Sequence, residues 1–211
     1  MTEKDSTTPQ THPHAQDTDW ETLILGIGNV LWADEGFGVR CVETLNARFV
    51  FPDNVCVMDG GTQGIFLLPW VRSASRLLIF DAIDFGLVPA TLQLIVGDDV
   101  PRYMGAKKVS MHQAGFQEVL SSAHLSGDFP DELALVGVQP QLLDDYGGSL
   151  TGLVRAQIDP AIELAAKTLH AWGVDFSERS VPLGANDLIG PDALAIGDYE
   201  RGRPVLDGDS L

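Results

Sequence analysis

The stretch Leu23-Ile-Leu-Gly-Ile-Gly-Asn-Val-Leu-Trp-Ala-Asp-Glu-Gly-Phe-Gly38 decides the fold class of this chain. Its first five residues are typical of a buried strand, and the residues from Val39 to Phe49 fit a helix. A strand that runs through a glycine-rich turn into a helix is a building unit of an α/β sheet. In open sheets of this kind, ligands bind beyond the carboxyl ends of the strands, which is where Asp34 and Glu35 fall. The loop is therefore a candidate functional site.

The same loop does not fit a dinucleotide site. Gly26 and Gly28 supply the first two glycines of the G-x-G-x-x-G pattern, but position 31 is Leu. Two acids follow, where a pyrophosphate would require hydrogen-bond donors. The loop is therefore predicted to serve a cation or a proton rather than a phosphate.

Composition indicates a single globular domain, because the chain has 211 residues of which 45% are hydrophobic. A net charge of −17 argues against nucleic acid, and the apolar runs are too short to span a bilayer. The N-terminus is polar and acidic, unlike a secretory signal. Cys41 and Cys56 form no CxxC pair and are expected to be buried and reduced. We expect a cytoplasmic protein with neither a nucleic-acid nor a membrane partner.

The chain divides into three regions by composition. Residues 1–19 are expected to be a disordered acidic tail, residues 20–174 a single α/β domain, and residues 175–211 a C-terminal extension of low order. Within the domain, predicted strands alternate with predicted helices, which implies a mainly parallel sheet covered on both faces.

The predicted strands are Leu23–Ile27, Val55–Met58, Arg76–Phe80, Thr91–Val96 and Leu133–Val138. The predicted helices are Val39–Phe49, Ile65–Ser73, Met111–Ala123 and a long one between Leu150 and Trp172. The connection before Thr91 is too short for a helical crossover, so one strand pair is predicted to be antiparallel. Asp159-Pro160 reads as an N-cap and first helical residue, so the long helix should restart or kink there.

Three acids follow predicted strands: Glu35, Asp59 and Asp81. Parallel strands bring their carboxyl ends to one edge of the sheet, so the three side chains are expected to share a crevice. Any one of them alone could cap a turn or a helix. Neighbouring carboxylates repel each other and raise each other's pKa, so a cation is their natural counter-charge.

His112 is the fourth candidate residue. Ser110 and Gln113 fit a capping box that places His112 in the first turn of a helix, where the helix dipole favours the neutral ring. His124 and His170 lack acidic partners and are interpreted as structural. Two carboxylates and an imidazole suit nickel, zinc or iron. The sequence contains no HExxH, CxxC or GxSxG motif.

Five motifs together resemble the hydrogenase maturation proteases, endopeptidases that process the large subunit of nickel-iron hydrogenases. They are Gly26-Ile-Gly-Asn-Val-Leu-Trp-Ala-Asp-Glu-Gly-Phe-Gly38, Asp59-Gly-Gly-Thr62, Asp81-Ala-Ile83, Lys108-Val-Ser-Met-His-Gln113 and Leu135-Val-Gly-Val-Gln-Pro140. The similarity runs from about Leu23 to Trp172. Within the family, the chain is most similar to the proteases that serve membrane-bound uptake hydrogenases.

The resemblance implies a three-layer α/β/α fold around a twisted five-stranded sheet. It also implies an activity, the removal of a short C-terminal extension from the nickel-loaded large-subunit precursor. The family's metal contacts fall on Glu35, Asp81 and His112, and the nickel would be supplied by the precursor. Asp59 would be a nearby functional acid without an assigned role.

The residues leave several alternatives open. Nickel could polarise the scissile carbonyl or activate water, or it could only dock the precursor while Asp59 or Asp34 acts as general base. A nickel-handling chaperone that binds the same precursor without cutting it would use the same ligands. A hydrolase of small phosphorylated or nucleoside substrates is disfavoured by the acidic loop, and a binding module without chemistry by three acids at strand ends.

Overall fold

The computed structural model describes residues 20–106, 111–184 and 189, without the side chains of 105–106 and 111–114. The predicted tail, residues 1–19, lies outside the described residues, as do residues 185–188 and 190–211 of the predicted extension. The strands are β1 (Thr22–Ile27), β2 (Phe49–Val50), β3 (Val55–Gly61), β4 (Arg76–Ala82), β5 (Leu92–Val96), β6 (Glu132–Val138) and β7 (Ser177–Glu178).

The helices of the described chain are α1 (Phe37–Arg48), α2 (Leu68–Arg72), α3 (Asp99–Ala106), α4 (Met111–Ser126), α5 (Gly152–Arg155) and α6 (Ile158–Ala171). Two short 3-10 turns, Ala33–Gly36 and Gly64–Leu67, precede α1 and α2. None of these helices is long and apolar enough to cross a membrane.

Five strands form one sheet in the order β3-β1-β4-β6-β5. All neighbouring pairs in it are parallel except β5 and β6. The prediction of one antiparallel pair is thus confirmed, but the partner of β5 is β6 rather than β4, which precedes β5 in the chain. Strand β5 lies at the edge of the sheet, beyond β6. Strands β1, β4 and β6 are buried almost throughout, which explains their near-continuous apolar sequences.

Alternate residues of the strands pack into two separate hydrophobic cores, one on each face of the sheet. Leu23 and Leu25 pack with α2, α3 and α4 on one face, whereas Ile24 packs with α1, α5 and α6 on the other. The predicted three-layer α/β/α arrangement is confirmed.

The predicted long helix from Leu150 to Trp172 is wrong in detail, because the chain forms α5, a short turn and then α6. The restart is two residues earlier than predicted, so Asp159 is not the N-cap and Pro160 occupies the first turn, where it removes no helical hydrogen bond. Asp159 instead pairs with Arg48 at 2.7 Å. Helix α3 was not predicted, since Val100 and Met104 are the only buried apolar residues among its described side chains, residues 99–104.

Beyond α6 the chain returns to the end of α1. Strand β7 pairs antiparallel with β2, and the Leu183 N–H donates to the Ala47 carbonyl at 2.9 Å. Phe176 packs edge-on against Phe49, with ring centroids 5.3 Å apart. Residues 175–183 are thereby attached at the edge of the sheet opposite the carboxyl ends of its parallel strands.

The first turn of α1 touches the sheet backbone directly at Gly38. A Cβ at this position would lie 2.2 Å from the carbonyl oxygens of both Ile27 and Phe80. Neither oxygen can move without distorting β1 or β4, so only glycine fits. The glycine of the opening motif therefore sets the distance between α1 and the sheet.

Candidate active site

Glu35 lies in the 3-10 turn that follows β1 and leads directly into α1. Its carbonyl oxygen accepts a hydrogen bond from the Asn29 N–H at 3.1 Å. Gly28 permits this close return of the chain, because its φ is +136° and a Cβ there would lie 1.9 Å from the same oxygen. The turn holds Glu35 beyond the carboxyl end of β1 with its side chain partly exposed.

The Glu35 carboxyl group occupies surroundings that disfavour its charge. Burial raises the pKa of Glu35 to about 7, and repulsion by Asp144 adds to the rise. The group therefore exchanges its proton near neutral pH, in the range that suits acid–base chemistry. A cation beside it would favour the ionised form.

The neighbouring acid, Asp34, has a structural role. It is fully buried, and its Oδ2 accepts the N–H groups of Gln141 and Leu142, each at 2.9 Å. Its Oδ1 accepts the Thr151 N–H at 2.7 Å, and the Thr151 hydroxyl donates to Oδ2 at 3.1 Å. Because both oxygens hold the loop before α5 in place, the geometry does not support Asp34 as a general base.

Asp59 and Asp81 lie at the same edge of the sheet but on opposite faces. Gly26 of β1 is level with Asp59 of β3 on one side and with Phe80 of β4 on the other. Asp81 is thus one residue further along, and successive strand residues point to opposite faces. Asp59 belongs to the alternate residues of β3 that face α1, and Asp81 belongs to the alternate residues of β4 that face α4. The side chains of Asp59 and Asp81 therefore leave the sheet toward different faces at its carboxyl edge, and the crevice shared by all three acids stays a prediction.

Asp81 is fully buried at the end of β4. Its Oδ1 accepts the N–H of Ala82 at 2.8 Å, which fixes the orientation of the carboxyl group. It lies between β1 and β6 in the centre of the sheet, level with Gly137. A buried acid at this point is well placed to contact a ligand bound beyond the strand ends.

Asp59 lies on the side of the sheet that carries a buried ion pair of α1. Arg40 Nη1 contacts Glu43 Oε2 at 2.9 Å, and both side chains are almost completely buried. Burial raises the pKa of Glu43, Arg40 opposes this rise, and the charge of Asp59 adds to it. Asp59 thus belongs electrostatically to the group formed with Arg40 and Glu43.

His112 is the second residue of α4, as its predicted place in a first helical turn requires. Its side chain lies outside the described residues, as does all of Ser110, the predicted capping residue. One turn further on, Gly115 packs against Gly64, so this end of α4 lies beside the turn that follows β3. Among the side chains that are described, which exclude His112, no three His, Cys, Asp or Glu residues are grouped to hold a metal.

Comparison with known proteins assigns this arrangement to a family. The sequence model described as hydrogenase maturation protease matches residues 39–168, more than half of the chain. The chain belongs to the hydrogenase maturation protease family. The matched range contains Asp59, Asp81 and His112 and begins four residues after Glu35.

Individual relatives of this hydrogenase maturation protease agree. It is 56% identical over 183 residues to the hydrogenase expression/formation protein HoxM of Azotobacter vinelandii, covering 87% of each chain. It is 42% identical to the hydrogenase 2 maturation protease of Escherichia coli, covering 74% of this chain and 95% of the relative. The solved structure of the hydrogenase maturating endopeptidase HybD from E. coli superposes with a TM-score of 0.72 at 40% identity, covering 76% of this chain and 98% of that one. The predicted family, fold and endopeptidase class are confirmed.

One residue of the maturation protease site was not predicted from sequence. Gln139, at the end of β6, is buried, and its Oε1 accepts the N–H groups of Phe85 at 2.8 Å and Leu87 at 3.1 Å. Its Nε2 donates to Asp84 Oδ1 at 3.0 Å. Gln139 therefore holds the loop that follows Asp81. A glutamine at the end of an apolar strand was the available signal, and its partners lie more than 50 positions away.

Proposed function

We propose that this maturation protease removes the C-terminal extension from a hydrogenase large-subunit precursor that already carries nickel, and that Glu35, Asp81 and His112 contact this nickel. The observation that carries the proposal is the carboxyl group of Glu35, whose pKa is raised to about 7 at the edge where β4 ends in the buried Asp81. Such surroundings favour a bound cation, because a cation removes the penalty of ionising Glu35.

The donor set fits nickel. Two carboxylates and an imidazole are ligands that borderline divalent ions accept, and they leave coordination positions for the precursor's own ligands. Asp81 points to the face of the sheet on which α4 packs. The helix α4 begins beside the turn that follows β3. This shared face supports the pairing of Asp81 with His112. The site would be completed only when the precursor brings its ion, which would explain selectivity for nickel-loaded substrate.

The reaction is the hydrolysis of a peptide bond by water. The two cysteines are poor nucleophiles, because burial raises the pKa of Cys56 to about 12 and that of Cys41 well above its usual value. When bound, nickel would supply Lewis-acid polarisation of the scissile carbonyl or of a water molecule. Glu35, whose pKa is about 7, would bind the ion in its ionised form. Asp81, oriented by the Ala82 N–H, would bind the ion from the end of the sheet.

A second arrangement uses nickel only to dock the precursor, with Asp59 as the general base. Asp59 leaves the sheet on the α1 side, near Glu43, whereas Asp81 leaves it on the opposite face. This separation favours the arrangement in which the metal contacts and Asp59 have different roles. The Asp59→Asn variant should then lose cleavage while it still binds nickel-loaded precursor.

We also propose that residues 20–174 form the protease domain, that residues 175–211 are an extension of it, and that the protein acts in the cytoplasm. Cys41 and Cys56 are both free and buried, as expected in a reducing compartment. The attachment of residues 175–183 to the end of α1 places this described part of the extension away from the carboxyl edge of the sheet.

A cleavage assay with purified precursor tests the proposed function. Wild-type protein should shorten nickel-loaded precursor and leave nickel-free precursor intact, whereas a chaperone would shorten neither. His112→Ala should abolish cleavage, and His124→Ala is the matched control, because His124 is an exposed histidine of the same helix. Equal cleavage of both precursor forms, or full activity of His112→Ala, would contradict the nickel contact.

A further inference from the structure

Two exposed aromatic side chains stand together beside the candidate site. Trp32 and Tyr146 meet edge to face, with ring centroids 5.2 Å apart. Trp32 is 36% exposed and Tyr146 69% exposed. Both are large apolar rings that contribute little to either core, and exposed rings of this kind are common at recognition surfaces.

The backbone beneath the two rings is held in place. Trp32 forms isolated β-bridges with Tyr146 and Gly148, and the Gly147 N–H donates to the Leu31 carbonyl at 2.7 Å. Asp34 ties the same two segments together a few residues further along. The ring pair is therefore presented by two joined loops, so a ligand would meet it with little loss of conformational freedom.

The charge around the ring pair is negative. Asp144 and Asp145 precede Tyr146 directly, and Asp144 is close enough to Glu35 to act on its ionisation. The two loops themselves, residues 28–39 and 139–154, contain no Lys or Arg. The next residue, Arg155, donates from its guanidinium to the Ser149 hydroxyl at 3.0 Å. An aromatic face bordered by carboxylates attracts a cationic side chain, both through the ring quadrupole and through the charges.

We propose that the Trp32–Tyr146 pair is a specificity site that receives a lysine or arginine side chain of the precursor close to the scissile bond. The proposal rests on the proposed function, since it assumes that Glu35 lies at the place of cleavage. Trp32 is three residues before Glu35 in the same loop. In the loop that carries Tyr146, Asp144 lies near enough to the Glu35 carboxyl group to repel its charge. A basic side chain held here would align the substrate segment beside the cation-binding acids.

Steady-state kinetics on nickel-loaded precursor tests the specificity site. Trp32→Leu and Tyr146→Leu keep an apolar side chain but remove the ring, and each should raise KM by about ten-fold, with the loss falling on KM rather than on kcat. The matched control is Phe176→Leu, which removes one ring of an edge-to-face pair at the opposite edge of the sheet. Its KM should equal that of the wild type.

The second arm changes the substrate. Each Lys or Arg of the precursor next to the cleavage point is replaced by Met in turn, and one replacement should raise KM with wild-type protease by the same factor. With Tyr146→Leu the same replacement should cause no further rise, because the two changes remove one contact. Multiplying effects, an unchanged KM, or dependence on the rings but on no basic residue would overturn the proposal. Failure of wild-type protein to cut any precursor would instead overturn the proposed function.

Discussion

Asp34 Oδ1 accepts the backbone N–H of Thr151 at 2.7 Å across 117 positions of sequence. The bond joins the turn that carries Glu35 to the residue that caps α5, whose side-chain oxygen accepts from the Val154 N–H. The position of Glu35 thus depends on a residue near the other end of the domain. This coupling makes Asp34 a test of how the site is supported.

Replacing Asp34 by Ala should lower the free energy of unfolding by about 2–4 kcal/mol, because three backbone N–H groups and one hydroxyl lose the buried acceptor that holds their loops together. Urea denaturation measures the change. Asp98→Asn is the control, because it removes a charge from an exposed position in the turn before α3. Equal stability of the two variants would contradict the structural role of Asp34.

Glu35→Gln should stabilise the protein at high pH. The folded-state pKa of Glu35 is about 7, above its usual value of 4.5, so ionising this group penalises the folded state increasingly between pH 4.5 and 7. Glutamine removes the penalty, so the variant should be more stable by about 1 kcal/mol at pH 8, allowing for solvent screening of a half-exposed group. Below pH 4.5 the two proteins should unfold alike, and denaturation curves at the two pH values decide the matter.

Gly38→Ala should destabilise the fold by about 3 kcal/mol or more, since the added methyl group meets two backbone oxygens that cannot rotate away. Thermal unfolding measures the loss. Gly152→Ala is the matched control, because a Cβ there meets no atom within 4 Å. A Gly38→Ala variant that melts with the wild type would show that α1 can shift from the sheet.

Arg40→Met should lower the free energy of unfolding by about 3–5 kcal/mol, because it leaves the Glu43 carboxylate buried without its partner and near Asp59. Adding Glu43→Gln should recover part of this loss by removing the isolated charge. The double-mutant cycle is measured by urea denaturation at pH 8. Losses that simply add would mean that the two side chains do not interact.

Local pattern was sufficient to predict the sheet and the sequence positions of the acids. The strand that contains Leu23 and the strand that contains Asp81 are short apolar runs. Such runs are recognised from neighbouring residues alone, without knowledge of distant contacts. The same holds for the parallel arrangement, because strands and helices alternate along the chain.

Long-range register and pairing could not be predicted. Whether Asp59 and Asp81 share a face depends on which residue of β1 each strand aligns with, and a shift of one residue reverses the answer. Strands β2 and β7 have two residues each, which is too short to show a periodic pattern. Their pairing also joins positions about 130 residues apart, so it could not be predicted locally. The anchoring roles of Asp34 and Gln139 likewise depend on partners far along the chain.

The contact of Gly38 with Ile27 and Phe80 has a consequence for how the site varies among related sequences. Ile27 ends the strand before Glu35, and Phe80 directly precedes Asp81, so this main-chain contact constrains the separation of Glu35 and Asp81 in addition to the hydrogen bonds of Asp34. Exchanges of side chains within either core alter the packing energy but do not change this contact between main-chain atoms. The separation of Glu35 and Asp81 is thereby less sensitive to exchanges in the core sequence, and Gly38 is the position at which a substitution would remove this protection.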